Sequence, residues 1–533
     1  MTRREAAWLV VGSLTFSIVF SYPMLCEVVY LGPGVSGWIA TGPLFSHLGR
    51  FPANGDWDLF TQLRWVPYYT ITHFHQLPFW NPYKCGGMGM LSNPESMVVS
   101  PSLLPYLLFG QYAGLYIEIV GHLAIGFAGG YVLGRELGLG RVAAIVSAAV
   151  FPASSWIYLH LSVGHLNFLR ALYFPWIGAL LLISIERRKF LPAAMGGFIC
   201  ALTLTEGNYT FLYSAIIIGS VALMLTLLNR SVWPLIYGLV IGLFGLGFGA
   251  LKLLPMAQQL TIYPKHPFGL EFISARMISG FLFSRHQDLY RPSGAEFLFA
   301  EYGAYISIAF AALAVVGLFS RPLRTLPWVL PAFIFLSFTR GFTGDHSAVL
   351  LLRHLPLSQS AGLTGRYLIP FVFCAGVVAA HGTDFLCSRF GSWGRRTAVV
   401  LITIGIVDNW LVGAPNLRYL FQGDIRQVAY SPDFRQYWVG NPGIQTEISQ
   451  ANMGSVNCQG YGYCDIPENP LGYNQPGYRG EYYLLDAGTV SQTLWTPNRL
   501  RYEVNVQAAT SLVVNQNYYP GWRLTSRLRK KGF

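Results

Sequence analysis

The chain has 533 residues, of which 53% are hydrophobic and only 11% are charged. Soluble domains carry about 25% charged residues, and a globule of this length cannot bury so much apolar surface. The composition therefore excludes a soluble protein and predicts one that crosses a bilayer many times. The net charge of +12 fits Lys and Arg collected in cytoplasmic loops. Because no basic run is interleaved with exposed aromatic residues, we expect no nucleic-acid partner.

Eleven apolar stretches near membrane length follow one another along the chain. The first begins after Arg3 and Arg4 and lacks a small-residue cleavage site, so we expect a retained helix and not a removed signal. Another stretch, 97–110, is short and contains Pro101 and Pro105, which predicts a re-entrant or interfacial segment. The predicted spans are 7–27, 112–134, 142–158, 168–185, 191–205, 208–228, 233–254, 302–320, 325–339, 366–386 and 397–413.

The basic residues predict the orientation of these spans. With the N-terminus in the cytoplasm, the clusters all fall on one side, and the short outer loops near 159–167 and 206–207 contain no Lys or Arg. A full span at 97–110 would invert this asymmetry, so eleven spans with the C-terminus outside fit the charges best. The clusters are Arg3/Arg4, Arg135/Arg141, Arg187/Arg188/Lys189, Arg230, Arg321/Arg324 and Arg389/Arg395/Arg396.

This orientation divides the chain into two predicted domains. Residues 1–413 form an all-α polytopic membrane bundle, with long outer loops at 28–111 and 255–301. Residues 414–533 contain no further membrane-length run and alternate polar and apolar residues over 501–506 and again near 511–515. The alternation predicts a small β-rich extracytoplasmic domain.

Two of the seven cysteines differ from the others in their surroundings. Cys458 and Cys464 lie in a polar segment rich in Gly, Tyr and Asn, whereas most of the others lie in or beside apolar runs. If that segment faces an oxidising compartment, the two can close a small disulfide loop. No paired C-x-x-C spacing predicts a metal site.

The first outer loop holds two acidic residues, Asp56 and Asp58, directly after the first span. Two carboxylates near the membrane surface can hold a divalent cation, or one of them can act as a general base. Alternatively, Asp56 caps a helix that begins near Asp58. The sequence leaves both interpretations open.

Further ionisable residues are predicted at the outer ends of other spans. His165 is either a candidate for catalysis or a structural histidine, and Glu206 and Lys252 either take part in chemistry or form a buried ion pair between two helices. Arg366 is either a phosphate clamp, because guanidinium binds phosphate in a fork, or an interfacial anchor. Together these residues suit a substrate with an apolar tail, a phosphate linker and a polar head.

An ordered set of short motifs from about residue 50 to residue 522 resembles the YfhO-type bacterial membrane proteins, which are similar to glycosyltransferases of the GT-C fold. The motifs are Gly55-Asp56-Trp57-Asp58, Phe79-Trp80-Asn81-Pro82, Gly86-Gly87-Met88, Gly164-His165, Glu206-Gly207, Lys252-Leu-Leu-Pro255, Glu301-Tyr302-Gly303-Ala304-Tyr305 and Val514-Asn515-Gln516-Asn517-Tyr518-Tyr519-Pro520-Gly521-Trp522.

The resemblance implies an inverting, GT-C-type enzyme of the bacterial inner membrane. It would move a sugar from a polyprenyl-phosphate donor to an acceptor on the extracytoplasmic face. The resemblance gives Asp56 or Asp58 the role of base or of ligand to a divalent cation, Mg or Mn, with Glu206 and His165 in support. We expect Lys252 and Arg366 to stabilise the departing lipid phosphate.

The chain departs from the family pattern where it ends soon after Trp522, because the family sheet usually continues beyond this position. The C-terminal domain therefore looks truncated, and a partner strand can complete its sheet. The alternative function is a catalytically inactive GT-C-like membrane subunit of a larger complex. A third hypothesis is a lipid or sugar transporter. Transporters often have Pro- or Gly-interrupted helices at corresponding positions in the two halves of the chain, and this sequence shows no such symmetry.

Overall fold

The computed structural model describes residues 2–25, 28–30, 38–40, 56–262, 269–354, 362–420, 429–438, 445–456 and 470–525. Gly55, Cys458 and Cys464 lie outside these ranges, so the disulfide stays a prediction. The α-helices are α1 (Arg3–Leu25), α2 (Trp57–Phe74), α3 (Leu103–Glu136), α4 (Arg141–Ala153), α5 (Ser155–Ser162), α6 (Phe174–Arg187), α7 (Phe190–Leu202), α8 (Asn208–Asn229), α9 (Trp233–Ile262), α10 (Ala275–Phe283), α11 (Ile308–Ser320), α12 (Pro322–Thr339), α13 (Leu350–Arg353), α14 (Leu368–Arg389), α15 (Gly391–Gly413) and α16 (Gln445–Gln450).

The described residues form a polytopic helical bundle, as the sequence predicts. Among the residues that the structure describes, nine helical segments are long and apolar enough to cross a membrane. Each of the eleven predicted spans coincides with an apolar helix, but α7 and α11 have only 13 residues each. At 1.5 Å per residue, such a helix is about 20 Å long, which is shorter than the hydrocarbon core of a bilayer.

The predicted spans extend beyond these two helices: α7 ends before the predicted end of its span, and α11 begins after the predicted start of its span. Residues 203–206 form turns after α7, and residues 303–307 have no regular secondary structure before α11. Irregular backbone at this depth is tolerated only where protein or a polar cavity surrounds it. Both irregular segments lie at the end of the bundle that carries the candidate site.

One predicted loop boundary is wrong, and two other loop segments contain helical residues. The outer loop predicted from residue 255 begins later, because α9 continues through Pro255 to Ile262. The first outer loop contains an 18-residue helix, α2. The predicted re-entrant segment 97–110 is in part the start of α3, separated from the rest of that helix by Gly110, whose φ is 80°. Because Gly110 has no Cβ, it can adopt this conformation without strain.

Helices of the bundle contact one another closely through glycines. A Cβ on Gly130 of α3 would lie 2.5 Å from the Ser147 carbonyl oxygen of α4. A Cβ on Gly197 of α7 would lie 2.8 Å from the Ile241 carbonyl oxygen of α9. Small residues let the backbones of two membrane helices come into direct contact. In lipid, van der Waals packing and not the hydrophobic effect then holds the helices together.

One end of the bundle, here called the basic end, gathers several of the predicted cytoplasmic clusters. The Glu5 carboxylate of α1 lies 3.2 Å from Arg135 and 3.7 Å from Arg141. Asp384 of α14 pairs with Arg321 at 2.7 Å and accepts a bond from the Gly140 amide at 2.9 Å. These contacts agree with the charge pattern that placed Arg135, Arg141 and Arg321 on one side.

Ten strands accompany the helices in the described part of the chain. They are β1 (Val28–Tyr30), β2 (Trp38–Ala40), β3 (Trp80–Asn81), β4 (Met88–Gly89), β5 (Arg435–Tyr437), β6 (Met453–Ser455), β7 (Tyr482–Leu484), β8 (Thr489–Thr496), β9 (Arg499–Asn505) and β10 (Leu512–Val514). The predicted strands near 501–506 and 511–515 are confirmed as β9 and β10. Within the described residues the C-terminal part is a set of two-stranded sheets, the pairs β5–β6 (parallel), β7–β10 and β8–β9 (both antiparallel).

The C-terminal part packs against the segment that follows α2. The Gly86 amide donates to the Ser455 carbonyl at 2.8 Å, and the Asn517 amide donates to the Gly86 carbonyl at 2.8 Å. The Trp80 indole N–H donates to Gln516 Oε1 at 3.0 Å, and its ring meets that of Trp522 edge-on, with centroids 5.6 Å apart. These motifs of the sequence therefore join the first loop to the C-terminal part.

Candidate functional site

Asp56 lies at the N-cap position of α2, which begins at Trp57, but its side chain makes no capping bond to that helix. Asp56 Oδ2 instead lies 3.0 Å from Nε2 of His165, which follows α5. Asp56 therefore stands at a helix start, but its carboxylate contacts His165 and not the first amides of α2. The Asp56 side chain is 29% exposed and its histidine partner only 6% exposed.

A second histidine continues this contact inward. His160 Nδ1 lies 2.9 Å from His165 Nδ1, and the His160 ring is buried and stacks on Phe168. If His165 Nε2–H donates to Asp56, a neutral His165 accepts at Nδ1 from His160 Nδ1–H; this tautomer is inferred from the hydrogen-bond pattern. The result is a line from a partly exposed carboxylate through two imidazoles into the bundle.

Glu301 and Arg366 complete the cluster from the other side. Arg366 binds Glu301 with two bonds, from Nε to Oε2 at 2.7 Å and from Nη2 to Oε1 at 3.0 Å, while Glu301 Oε1 lies 3.7 Å from His165 Nε2. Burial opposes ionisation of Glu301, but the positive charge of Arg366 prevails and holds the pKa of the carboxyl below its usual range. Glu301 is therefore a fixed anion beside the histidine pair.

Two glycines allow these segments to meet. A Cβ on Gly164, whose φ is 97°, would overlap the Trp57 backbone nitrogen and lie 2.6 Å from the Asp56 carbonyl carbon. A Cβ on Gly365 would overlap the Tyr302 ring and lie 3.0 Å from the Glu301 carbonyl oxygen. The Asp56 amide also donates to the Val163 carbonyl at 2.8 Å. The Gly164-His165 motif therefore brings His165 against the start of α2.

Asp58 has a different partner. Its Oδ1 accepts a bond from the Thr446 amide at 2.9 Å, at the beginning of α16 in the C-terminal part. The carboxylate therefore helps to attach that part to α2. Among the described residues, the structure places Asp56, His160, His165 and Glu301 together, and Asp58 faces Thr446. Shared binding of one cation by Asp56 and Asp58 stays a prediction.

Glu206 belongs to a buried network of charges deeper in the bundle. Its carboxylate lies 2.7 Å from Arg64 Nη2 of α2 and also pairs with Arg170. Glu118 of α3 binds the same two arginines, each at 2.8 Å, and accepts a bond from Tyr106 at 2.6 Å. All four charged side chains are at most 1% exposed, so two arginines balance two glutamates away from water. The predicted ion-pair role of Glu206 is observed, although its partners are arginines and not Lys252.

Lys252 of α9 contacts the loop that precedes α3. Its Nζ donates to the Ser96 carbonyl oxygen at 2.7 Å, and the residue is 1% exposed. Arg366, the other predicted phosphate-binding cation, is engaged by Glu301, and its guanidinium lies over the rings of Phe168 and Tyr209. A role of these two cations at a lipid phosphate stays a prediction.

The cluster contains a donor set that suits a metal ion. One ligand atom each from His160, His165 and Glu301 lie within 4.8 Å of one another. Two imidazoles and a carboxylate are typical ligands of zinc or manganese, whereas magnesium prefers oxygen ligands and water. Of the two metals that the sequence suggested, the residues therefore fit manganese better than magnesium.

Some members of the site were missing from the sequence prediction. Arg170 lies within a predicted span, and a charge inside an apolar run is itself a signal for a functional or paired residue. Arg64 offered no such signal, because its segment reads as an ordinary outer loop. Glu301 was noted only as part of a motif, and its bidentate bond to Arg366, 65 residues away, appears only in three dimensions.

Similarity to known proteins is confined to distant structural likeness. No protein-family model and no curated protein matches the chain. Three similar solved structures are arabinofuranosyltransferase AftD from Mycobacteria (15% identity, TM-score 0.43), the Archaeoglobus fulgidus oligosaccharyltransferase in the apo form (10%, 0.47) and ArnT from Cupriavidus metallidurans bound to undecaprenyl phosphate (12%, 0.41). In the same order, the matches cover 79%, 85% and 85% of this chain. They cover 27%, 65% and 86% of the solved chains, so this chain spans less than two thirds of the length of the first two. With TM-scores below 0.5, these similarities assign no activity to the chain.

Proposed function

We propose that this chain is a membrane glycosyltransferase that moves a sugar from a polyprenyl-phosphate donor to an acceptor on the extracytoplasmic face. The observation that carries the proposal is the contact of the partly exposed Asp56 carboxylate with His165, backed by His160 and the Glu301–Arg366 pair. Proton transfer from a weakly acidic hydroxyl needs a positioned base that the acceptor can reach. Asp56 meets both conditions.

The residues suggest the following steps. The acceptor hydroxyl gives its proton to Asp56, while its oxygen attacks the anomeric carbon from the face opposite to the phosphate. The carbon–oxygen bond to the polyprenyl phosphate breaks, and the electron pair leaves with the phosphate, which inverts the anomeric configuration. His165 holds the Asp56 carboxylate in place through its contact with Oδ2.

As an alternative to the hydrogen bond between the two imidazoles, His160, His165 and Glu301 would hold a divalent cation, which would neutralise negative charge on the departing phosphate. The Glu301 carboxylate is held in a fixed position, because Arg366 donates to both of its oxygens. The basic end, which lies away from the site and carries residues typical of cytoplasmic loops, supports a site that faces the outside.

The test is release of polyprenyl phosphate from a panel of polyprenyl-phosphate sugars by the purified protein in lipid nanodiscs. We expect Asp56→Asn to lower the rate by about 100-fold or more, because a positioned base contributes about 10²–10⁴. Asp288→Asn is the matched control, since Asp288 pairs with Arg418 at 3.1 Å, outside the cluster. Unchanged turnover in Asp56→Asn contradicts the proposal. A wild-type protein inactive on every donor favours the alternative, an inactive subunit of a complex.

A further inference from the structure

Segment 98–109, which leads into α3 and forms its first turns, exposes only apolar side chains. Every residue of this segment that is not buried is Val, Pro, Leu or Phe. Leu104 is 57% exposed, Leu108 71% and Phe109 62%. The polar side chains of the segment are all buried, and they belong to Ser100, Ser102 and Tyr106. Surfaces in water rarely expose such a contiguous apolar face, so it indicates contact with lipid or with another molecule.

The chain turns back on itself at Gly110. This residue interrupts the helical geometry of α3 with φ of 80° and ψ of 175°. A Cβ on Gly114 would lie only 2.8 Å from the Cα of Tyr106. Residues eight apart in a straight helix are about 12 Å apart along its axis, so the helix does not continue straight through Gly110. The residues four before and four after this glycine lie side by side, and segment 98–109 therefore runs back along α3.

Hydrogen bonds attach the buried face of the segment to Glu118, further along α3. The Tyr106 hydroxyl donates to the Glu118 carboxylate at 2.6 Å. Arg170, which donates to the same carboxylate at 2.8 Å, also donates from Nη1 to the Ser102 hydroxyl at 2.8 Å. The segment therefore lies beside the first two turns of α3 that follow Gly110, and its polar side chains join the buried network of arginines and glutamates.

The length of α3 puts these turns at membrane depth. Residues 111–136 are roughly 39 Å long at 1.5 Å per residue, about 9 Å more than the hydrocarbon core of a bilayer. Glu118 follows Gly110 by eight residues, which is about 12 Å along the helix. Even if the whole excess length protruded at this end of α3, the level of Glu118 would lie inside the hydrocarbon core. Ile117, on the same turn, is 40% exposed, so the apolar face of the segment continues an apolar face of α3.

The backbone of the segment suits an environment without water. A chain inside a bilayer must satisfy its own backbone groups. The Leu103 amide donates to the Ser100 carbonyl at 3.1 Å, and the Leu104 amide donates to the Pro101 carbonyl at 3.0 Å. Pro101 and Pro105 have no N–H group that needs an acceptor. The start of α3 is thus compatible with direct contact with lipid.

We infer that segment 98–109 is a re-entrant membrane segment whose exposed face contacts the acyl chains of lipids. Lipid hydrocarbon fits this face because its exposed side chains are all apolar and because the face lies at the depth of Glu118. The opposite face covers the network around Glu118 and so separates buried charges from the bilayer, where they are costly. This inference does not depend on the proposed glycosyltransferase activity.

Lipid photocrosslinking tests the inference on the full-length protein in nanodiscs of phosphatidylglycerol and phosphatidylcholine. A genetically encoded diazirine amino acid replaces Leu104 or Leu108, one at a time, and mass spectrometry quantifies the phospholipid adduct after illumination. Both side chains are exposed, so their replacement disturbs no packing, and thermal unfolding verifies that each variant is folded. Leu243 of α9, which is 58% exposed, is the reference inside a membrane span. Leu485 of the C-terminal part, which is 52% exposed, is the reference outside the membrane.

We expect Leu104 and Leu108 to crosslink to phospholipid as strongly as Leu243 and about 10-fold or more above Leu485, because acyl chains are confined to the hydrocarbon core. Crosslinking at the level of Leu485 at both positions overturns the inference. Crosslinking at Leu108 alone would place the segment at the membrane surface and contradict its re-entrant course. Crosslinking to a protein in intact cells, in place of lipid, would also overturn it and would identify a protein-docking surface.

Discussion

At the scale of single residues, Asp56 combines two properties that the sequence presents as alternatives. It stands where an aspartate ordinarily caps a helix, yet its carboxylate turns to His165. A capping aspartate accepts bonds from the first amides of its helix. Here the Gly164 backbone lies against the start of α2, so His165 is close enough to contact the Asp56 carboxylate. The start of α2 therefore forms part of the polar site.

Gly164→Ala tests this close approach. The new Cβ would overlap the start of α2 and also strain a residue with φ of 97°, which costs about 1–3 kcal/mol in other residues. We expect a lower thermal unfolding temperature of the detergent-solubilised protein. If the chain is a transferase, we also expect loss of activity, because Asp56 is displaced. Gly138→Ala is the control, since Gly138 has a φ of 74° but no atom within 4 Å of the added Cβ. Equal destabilisation of the two variants would show that the contact with α2 is not required.

The buried charges can be tested in the same way. Glu118 accepts bonds from Arg64, Arg170 and Tyr106, so Glu118→Gln leaves two buried arginines with a single glutamate. Removal of one partner from a buried ion pair costs about 3–5 kcal/mol. We therefore expect strong destabilisation in denaturant titrations of the micellar protein.

Asp288→Asn provides the comparison for Glu118→Gln. The Asp288 side chain is 24% exposed and its partner Arg418 13% exposed, so solvent reaches this pair but not the network, and we expect a smaller loss than for Glu118→Gln. Similar losses in the two variants would mean that the four-residue network contributes no more than a partly exposed pair.

At the scale of elements, helices α11 and α14 pack at backbone distance. A Cβ on Gly382 would overlap the Leu313 carbonyl and lie 2.7 Å from the Gly317 nitrogen. Since neither backbone can yield without moving a whole helix, we expect Gly382→Ala to destabilise the protein by about 1–3 kcal/mol. Thermal unfolding in detergent measures the effect.

Gly219→Ala serves as the matched helical control. Nothing lies within 4 Å of a Cβ at Gly219 in α8, and alanine favours a helix over glycine by about 1 kcal/mol. The control should be neutral or more stable than the wild type. Destabilisation of Gly219→Ala to the same extent would point to a general effect of the added methyl group and not to the α11–α14 contact.

At the scale of the whole molecule, the orientation of the bundle decides which compartment the site faces. Val232, in the turn between α8 and α9, is 62% exposed, and Leu485 of the C-terminal part is 52% exposed. In a variant whose seven cysteines are replaced, Leu485→Cys should react with a membrane-impermeant maleimide on intact cells. Val232→Cys should react only after permeabilisation, because Arg230 lies beside it at the predicted cytoplasmic side. The opposite labelling pattern would place the site in the cytoplasm.

Hydropathy and charge alone predict the bundle and the difference between its two ends. Apolar runs must be helical in a bilayer, since every backbone group needs an internal partner there, and this rule located a helix for each predicted span. The period-two stretches likewise predicted β9 and β10. Helix ends were less certain, as α9 shows, because neither Pro255 nor hydropathy marks where a helix leaves the membrane.

Which polar residues lie together becomes visible only in the three-dimensional structure. The sequence put Asp56 and Asp58 side by side, yet one contacts His165 and the other Thr446, 388 residues away. It suggested a buried pair for Glu206, but its partners are Arg64 and Arg170. Ion pairs and hydrogen bonds depend on distances of a few ångströms between segments far apart in the chain. Those distances follow from glycine contacts and irregular turns, whereas hydrophobic periodicity reports only which face of each helix is apolar.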